Sequence, residues 1–285
     1  MIQIIVRKYQ HSVNLYYSKI KKKIEGKNPD FIILGTQKGG TTSLYNYLSN
    51  HSKICVGSRR EIHFFDRNYE KGTYWYKNNF NNENEDLLTF ECSPDYIHHP
   101  FAAERIRLLS PKLKLIVLLR NPVERAISNY KHNIYLGKYR PDTTIEEVIE
   151  NEMKFINHEK EKMMKNKNYY SRKFKYFSIL DRGIYHKQLK IYFDNFDKKQ
   201  IHILFSEKLF LNTRKELNKL FKFLNLNPEK VPCTTIYNKS KIDIKIKQKT
   251  KETIEEFFLE HNEKLYKMIN TKFRLQSYLI AFYIF

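Results

Sequence analysis

Three stretches of the chain are apolar with little or no polar interruption, and each leads into a turn or a new element with helical periodicity. Phe31-Ile-Ile-Leu34 is followed by Gly35-Thr-Gln-Lys-Gly-Gly-Thr-Thr-Ser43 and then by Leu44, Tyr47 and Leu48 at helical spacing. Residues 113–119, apolar apart from Lys114, are followed by Arg120-Asn-Pro122 and by Ala126, Ile127 and Tyr130. Gln200-Ile-His-Ile-Leu-Phe205 precedes Leu217, Leu220, Phe221 and Leu224. Short apolar runs rich in β-branched residues predict strands, and a run that does not alternate with polar residues predicts a strand covered on both faces. Strand, turn and helix in succession predict an α/β fold: a P-loop-like, doubly wound parallel sheet flanked by helices.

Between the second and third units lies a long polar insertion, about residues 136–178. It opens on Thr144-Ile-Glu-Glu147, the spacing of a capping box, and is expected to run through a Lys-rich helix to about Phe177. Insertions at this point lie over the carboxyl edge of the sheet, where ligands bind, so a helical lid is expected. No internal repeat and no Pro- or Ser-rich linker divides the chain. The expected organisation is an amphipathic extension over residues 1–28 and a single domain over residues 29–285.

Composition changes this picture in two ways. The chain has 285 residues, of which 41% are apolar and 15% aromatic, enough large side chains for a real core, which excludes disorder. Lys and Arg number 52 against 31 Asp and Glu, a net charge of +21, which suits an anionic ligand. Part of that excess is a compositional bias, since Lys comes with Asn and Tyr in runs such as residues 165–170. Cys55, Cys92 and Cys233 are the cysteines, odd in number and without metal-ligand spacing, which argues against both a disulfide framework and a structural zinc. No stretch approaches the roughly 20 apolar residues of a membrane span, and residues 2–6 fall short of the about 7–15 of a signal-peptide core. The expected location is cytoplasmic. Ile5, Tyr9, Val13, Tyr16, Ile20 and Ile24 recur at helical spacing, and the chain closes on Tyr278-Leu-Ile-Ala-Phe-Tyr-Ile-Phe285. Docking of these ends on the protein's own core is favoured over peripheral contact with a membrane surface.

The turn after the first strand carries the chemistry. Gly35-x4-Gly40 has the spacing of a Walker A loop and Thr42 stands at its Ser/Thr position, but Thr41 occupies the place of the lysine, which is found inside the loop as Lys38. Backbone N–H groups at such a turn and at the following helix N-terminus are unpaired donors at the positive end of a dipole, so the loop still suits a phosphate. A P-loop kinase is the nearest rival enzyme; the displaced lysine and the lack of a magnesium-binding aspartate after an apolar strand count against it. A basic nucleic-acid-binding protein is the rival from another class, supported by the charge and the Tyr/Lys-rich residues 167–177, but no reader motif is present, and no nucleic-acid partner is expected.

Four segments in order resemble the sulfotransferases that use 3'-phosphoadenosine 5'-phosphosulfate, most of all the heparan-sulfate-type branch. Ile33-Leu-Gly-Thr-Gln-Lys-Gly-Gly-Thr-Thr-Ser43 is similar to the family's 5'-phosphosulfate loop, and Leu118-Leu-Arg-Asn-Pro-Val-Glu-Arg-Ala-Ile-Ser-Asn-Tyr130 to its 3'-phosphate segment. Glu61-Ile-His-Phe-Phe-Asp66 resembles its catalytic-strand motif, and Glu91-Cys-Ser-Pro-Asp-Tyr96 its Glu-Lys-Thr-Pro-x-Tyr segment. Weaker likeness continues through Arg182-Gly-Ile-Tyr185, Phe205-Ser-Glu207 and Asn238-Lys-Ser240.

The resemblance implies sulfuryl transfer to a hydroxyl or amine of a saccharide or glycan, without a metal. Lys38 would neutralise the leaving oxygen, and Gly39, Gly40, Thr41, Thr42 and Ser43 would hold the 5'-phosphate. Arg120 and Ser128 are assigned to the 3'-phosphate, which a planar guanidinium and a hydroxyl can grip from two sides, with Lys239 or Lys241 closing over it. The alternative for Arg120 is an ion pair with Glu124. Glu61 is the candidate general base, since the acceptor must lose a proton as it attacks. On a strand, Glu61 and His63 would point to one face. His63 would orient the base, Asp66 would support it or touch the acceptor, and His132, four residues after Ser128, would sit near the acceptor. Cys92 is a departure: it stands where the heparan-sulfate enzymes carry a lysine near the transferred group, and is read as an acceptor-side position. Oligomeric state is not legible.

Overall fold

The computed structural model of the chain describes residues 26–80, 84–232 and 242–275. Strand β1 (Phe31–Gly35) passes through the loop into helix α1 (Thr41–Ser49), then β2 (Ile54–Val56). Two short helices, α2 (Phe64–Arg67) and α3 (Gly72–Lys77), precede β3 (Leu88–Cys92), α4 (Ala102–Leu109) and β4 (Lys114–Leu119). After α5 (Pro122–Tyr135) come the insertion helices α6 (Ile145–Lys165) and α7 (Arg172–Phe177), then α8 (Tyr185–Asn195) and β5 (Ile201–Phe205). Helices α9 (Ser206–Leu211), α10 (Thr213–Leu224) and α11 (Gln248–Met268) complete the described chain.

The strands form one five-stranded sheet in the order β2-β3-β1-β4-β5, and every pairing is parallel. β1 is central, with Phe31 opposite Phe90 on one side and Lys114 on the other. All five of its residues are buried, and the four side chains alternate between layers. Ile32 and Leu34 join Phe64, Tyr76, Tyr96 and Tyr192 on one face, whereas Phe31 and Ile33 join Leu44, Leu48, Leu220 and Phe221 on the other. That is the doubly wound arrangement expected from the uninterrupted apolar runs. The three predicted strands are present; β2 and β3 lie where the sequence offers only short, polar-flanked apolar pieces.

The insertion departs from its expected form. Thr144 makes the predicted capping box with Glu147, but the helix ends at Lys165 and resumes at Arg172, where Ser171 caps Phe174. Asn166-Lys-Asn168, poor in helix propensity, breaks it. Ile145, Val148, Ile179 and Leu180 pack with Val123, Ile127, Ile254 and Phe258, so the insertion shares a core with α5 and α11. No helix among the described residues is long and apolar enough to cross a membrane. Both amphiphilic ends, residues 1–25 and 276–285, lie outside the described residues, as do Lys239 and Lys241.

Candidate active site

The loop between β1 and α1 is fixed by backbone contacts that leave no room for side chains. A Cβ on Gly39 would come within 2.8 Å of the Leu118 carbonyl and 2.9 Å of the Thr36 carbonyl. Gly40, at φ 93°, is the N-cap of α1 and has no side chain to cap it. A glycine-rich turn running into a helix N-terminus is a standard anion seat. Ser206 Oγ donates to the Gly39 carbonyl at 2.5 Å and approaches the Leu119 carbonyl at 3.0 Å, while Asn129 donates to Gln37. The weak likeness at Phe205-Ser-Glu207 thus has a mechanical meaning: it braces both phosphate segments, with Glu207 accepting from the Asn121 N–H at 2.7 Å.

Lys38 adopts φ 66°, a conformation disfavoured for a side chain with a Cβ. Arg120, just past the end of β4, donates to the Lys38 carbonyl at 3.0 Å, and its pair with Glu124 is long at 3.8 Å. Burial first and the Arg120 charge second pull the Lys38 ammonium below its ordinary pKa. Two cations held together against desolvation are relieved by an anion between them. Ser128 lies half-buried on α5, one turn before His132. Burial, then the Lys38 charge, lower the His132 pKa while Glu61 opposes them, so the three groups lie within electrostatic range of one another.

Glu61 and His63 are not on a strand. Both have positive φ, 22° and 53°, and His63 is the N-cap of α2. The predicted face-sharing geometry is wrong, yet the side chains meet, with His63 Nε2 3.4 Å from Glu61 Oε2. The Glu91-Cys-Ser-Pro-Asp-Tyr segment overrides the extended conformation. Ser93 Oγ accepts from the His63 N–H at 3.0 Å and Tyr96 Oη from the Phe64 N–H at 2.7 Å. Both hydroxyls donate to the buried Glu91 carboxylate, which also accepts from Tyr76. Burial raises the Glu91 pKa to about 7 against these hydrogen bonds. Lys38, Glu61 and His63 are thus among the few described non-glycine residues with left-handed backbone; the other two, Asn225 and Asn270, follow helices. Strain concentrated at candidate reactive positions is a mark of a functional site.

Burial tends to raise the Glu61 pKa, but the His63 hydrogen bond and charge and the Arg60 charge outweigh it, leaving a carboxylate held low. Asp66 Oδ2 lies 2.9 Å from His63 Nδ1. Against the desolvation of the ring, Asp66 and Glu61 bring the His63 pKa up to about 9. Arg67 Nη2, 2.8 Å from His63 Nε2, competes with this protonation, because a donor there needs an unprotonated nitrogen. Arg67 and Arg182 each bond Asp95 at 2.8 Å, and their charges, with that of His63, hold this carboxyl far below its usual range despite its burial. His63, Asp66 and Asp95 bring three ligand atoms within 4.8 Å of one another, but the guanidiniums already neutralise them, so the cluster is built as an ion-pair network. A small cleft of about 30 Å³ opens between it and the insertion, lined by Asp66, Arg67, His99, Tyr170, Lys175 and Arg182.

A stability prediction follows from His63. A pKa raised from 6.5 to about 9 on folding contributes stability that is complete below pH 6.5 and lost as pH rises through 9. The stability advantage of the wild type over His63→Gln should therefore shrink by on the order of 2 kcal/mol between those limits. Denaturant unfolding at several pH values measures it, and a constant difference would contradict the charged pair.

Cys92 needs correction. It is 1% exposed at the end of β3, its Sγ 4.0 Å from the Thr41 carbonyl, and burial drives its pKa upward, so it is a neutral thiol beneath α1 with no surface for an acceptor. Asp66 lines the cleft as well as bonding His63. Sequence reasoning missed Arg67, Asp95 and Arg182, whose roles depend on contacts across the fold; the Asp-Arg charges within the matching segments were the only signal.

The profile of the family described as Sulfotransferase domain matches residues 28–274. The membrane-associated sulfotransferase kil1 of Dictyostelium discoideum is 27% identical, over 92% of this chain and 72% of its own length. Human heparan sulfate glucosamine 3-O-sulfotransferase 5 is 34% identical over 70% of this chain, and 3-O-sulfotransferase 3B1 is 32% identical over 75%. The matches span 54% and 50% of those two relatives, about half their length. The crystal structure of a sulfotransferase from Alicyclobacillus acidocaldarius superposes with a TM-score of 0.66 at 23% identity, covering 87% of this chain and 98% of that one, and so shares the fold.

Proposed function

The chain belongs to the sulfotransferase family, and from that premise we propose that it moves a sulfuryl group from 3'-phosphoadenosine 5'-phosphosulfate to a saccharide, by in-line attack with Glu61 as general base. The observation that carries this reading is the pairing of the glycine-tight loop at the α1 N-terminus with Arg120 bonded to the Lys38 carbonyl, with Glu61 and His132 within electrostatic range. Gly39, Gly40 and the N–H groups of Thr41, Thr42 and Ser43 fit the 5'-phosphate. Arg120 and Ser128 fit the 3'-phosphate. Lys38 meets charge on the leaving oxygen, and magnesium has no assigned ligands.

Glu61, ionised at neutral pH, accepts the acceptor's proton as the new bond to sulfur forms. His63 holds it in place, itself fixed by Asp66. His132, kept neutral, faces the acceptor. The heparan-sulfate relatives act on a glucosamine oxygen, which favours a saccharide hydroxyl over an amine here, and the net charge of +21 suits an acidic glycan. We place the lid over residues 136–178 within the same domain. The membrane-associated relative fits the alternative of peripheral contact with a membrane surface.

The donor assignment is tested without an acceptor. Adenosine 3',5'-bisphosphate should bind much more tightly than AMP, because Arg120 and Ser128 have a dedicated phosphate to hold. Arg120→Ala should weaken the bisphosphate about 10- to 100-fold, the loss of a charge-assisted contact of about 1.5–3 kcal/mol. Calorimetry showing equal affinity for the two nucleotides would remove the basis of the assignment.

A further inference from the structure

Cys92 leaves a gap in charge. The transferable sulfuryl group is anionic, and the buried thiol beneath Thr41 offers it no cation. The two consecutive arginines at the entrance to the Glu61 loop divide their attention. Arg59 sits 5.0 Å from the Trp75 ring centre, turned toward α3. Arg60 turns the other way, with Nη2 3.6 Å from Glu61 Oε1 and its guanidinium 5.9 Å from the Tyr45 ring centre on α1. Its side chain is 37% exposed, so it can move toward a ligand without leaving the core. Burial and then Glu61 raise the Cys92 thiol while the Arg60 charge opposes them, so Arg60 and Glu61 lie within electrostatic range of the thiol under the first residue of α1.

We propose that Arg60 is a further catalytic residue, contacting the sulfuryl group held between the α1 N-terminus and Glu61 and supplying the positive charge that Cys92 cannot. An exposed Arg–Glu pair contributes little to stability, so holding Glu61 is a weak reason for a guanidinium here. Against a sulfuryl oxygen, the same fork gives charge-assisted hydrogen bonds. In the transfer, the bond from sulfur to the phosphate oxygen breaks with its electron pair left on that oxygen. The bond from sulfur to the acceptor oxygen forms, and the acceptor proton passes to Glu61. Arg60 stays bonded to the sulfuryl oxygens throughout, and its charge also keeps the neighbouring Glu61 ionised before attack.

This inference rests on the donor assignment above, and its test separates the two. Wild type, Arg60→Ala and Arg60→Lys are titrated with the sulfate donor and, separately, with adenosine 3',5'-bisphosphate, which lacks the sulfuryl group. Arg60→Ala should lose about tenfold or more in affinity for the donor and less than about twofold for the bisphosphate. Arg60→Lys should recover part of the donor affinity. Equal losses for both nucleotides, or unchanged donor affinity, would overturn the role of Arg60 while leaving the donor site standing. Wild type that binds neither nucleotide would instead defeat the donor assignment itself.

Discussion

Glu61→Gln is expected to fold and to bind the sulfate donor, yet to transfer sulfate at least about 10² times more slowly, the loss typical of a positioned general base. Glutamine keeps the size and hydrogen-bonding reach of glutamate but cannot take the proton that a hydroxyl must surrender as it attacks sulfur. The loop at Glu61 is held by His63, Ser93 and Tyr96 through contacts that do not need its charge, so folding should survive. Because the Glu61 carboxyl is held low, mainly by His63 against its own burial, the wild-type rate should persist into acid beyond the ordinary carboxylate range. Steady-state rates for both proteins between neutral and acid pH measure this. Near-full activity in Glu61→Gln, together with loss in His132→Ala, would make the neutral imidazole on α5 the base.

Lys38→Ala should lower kcat by about 10²–10³, the effect of removing a donor aimed at developing charge, and should weaken donor binding far less. The ammonium meets the leaving oxygen most strongly when the bond to sulfur has lengthened, and an interaction that grows in the transition state is read in kcat. The ground state has other holds on the nucleotide: the N–H groups of α1, and Arg120, which is tied to the Lys38 carbonyl and not to its side chain. Parallel measurement of kcat and bisphosphate affinity checks the split. Weakened binding with wild-type turnover would contradict the role.

The sheet was legible because burial on both faces leaves an uninterrupted apolar run, as at residues 31–34 and 113–119. The loop was legible because Gly39 and Gly40 answer local steric demands, carbonyls within 3 Å in one case and a left-handed φ in the other. The conformation at Glu61 was not. Its extended reading came from sequence spacing, whereas the turn is imposed from 30 residues away by Ser93 and Tyr96 hydroxyls anchored on a buried carboxylate. Cys92 was misread because the resemblance carried over the place of a long lysine, whereas the short thiol stays buried beneath α1 at the end of β3. Arg60 was not singled out, because only the fold reveals that Arg59 lies against Trp75 and that Arg60 turns to Glu61 and Tyr45.

The central claim is that this chain transfers a sulfuryl group to a saccharide. The direct measurement is incubation with isotopically labelled sulfate donor and a panel of glycans, with chelator present, followed by mass spectrometry of the acceptors. The account predicts the mass gain of one sulfuryl group on at least one acidic glycan, abolished in Glu61→Gln and unaffected by the chelator. An intact donor with every glycan, or a transfer that proceeds only from ATP and magnesium, would contradict it.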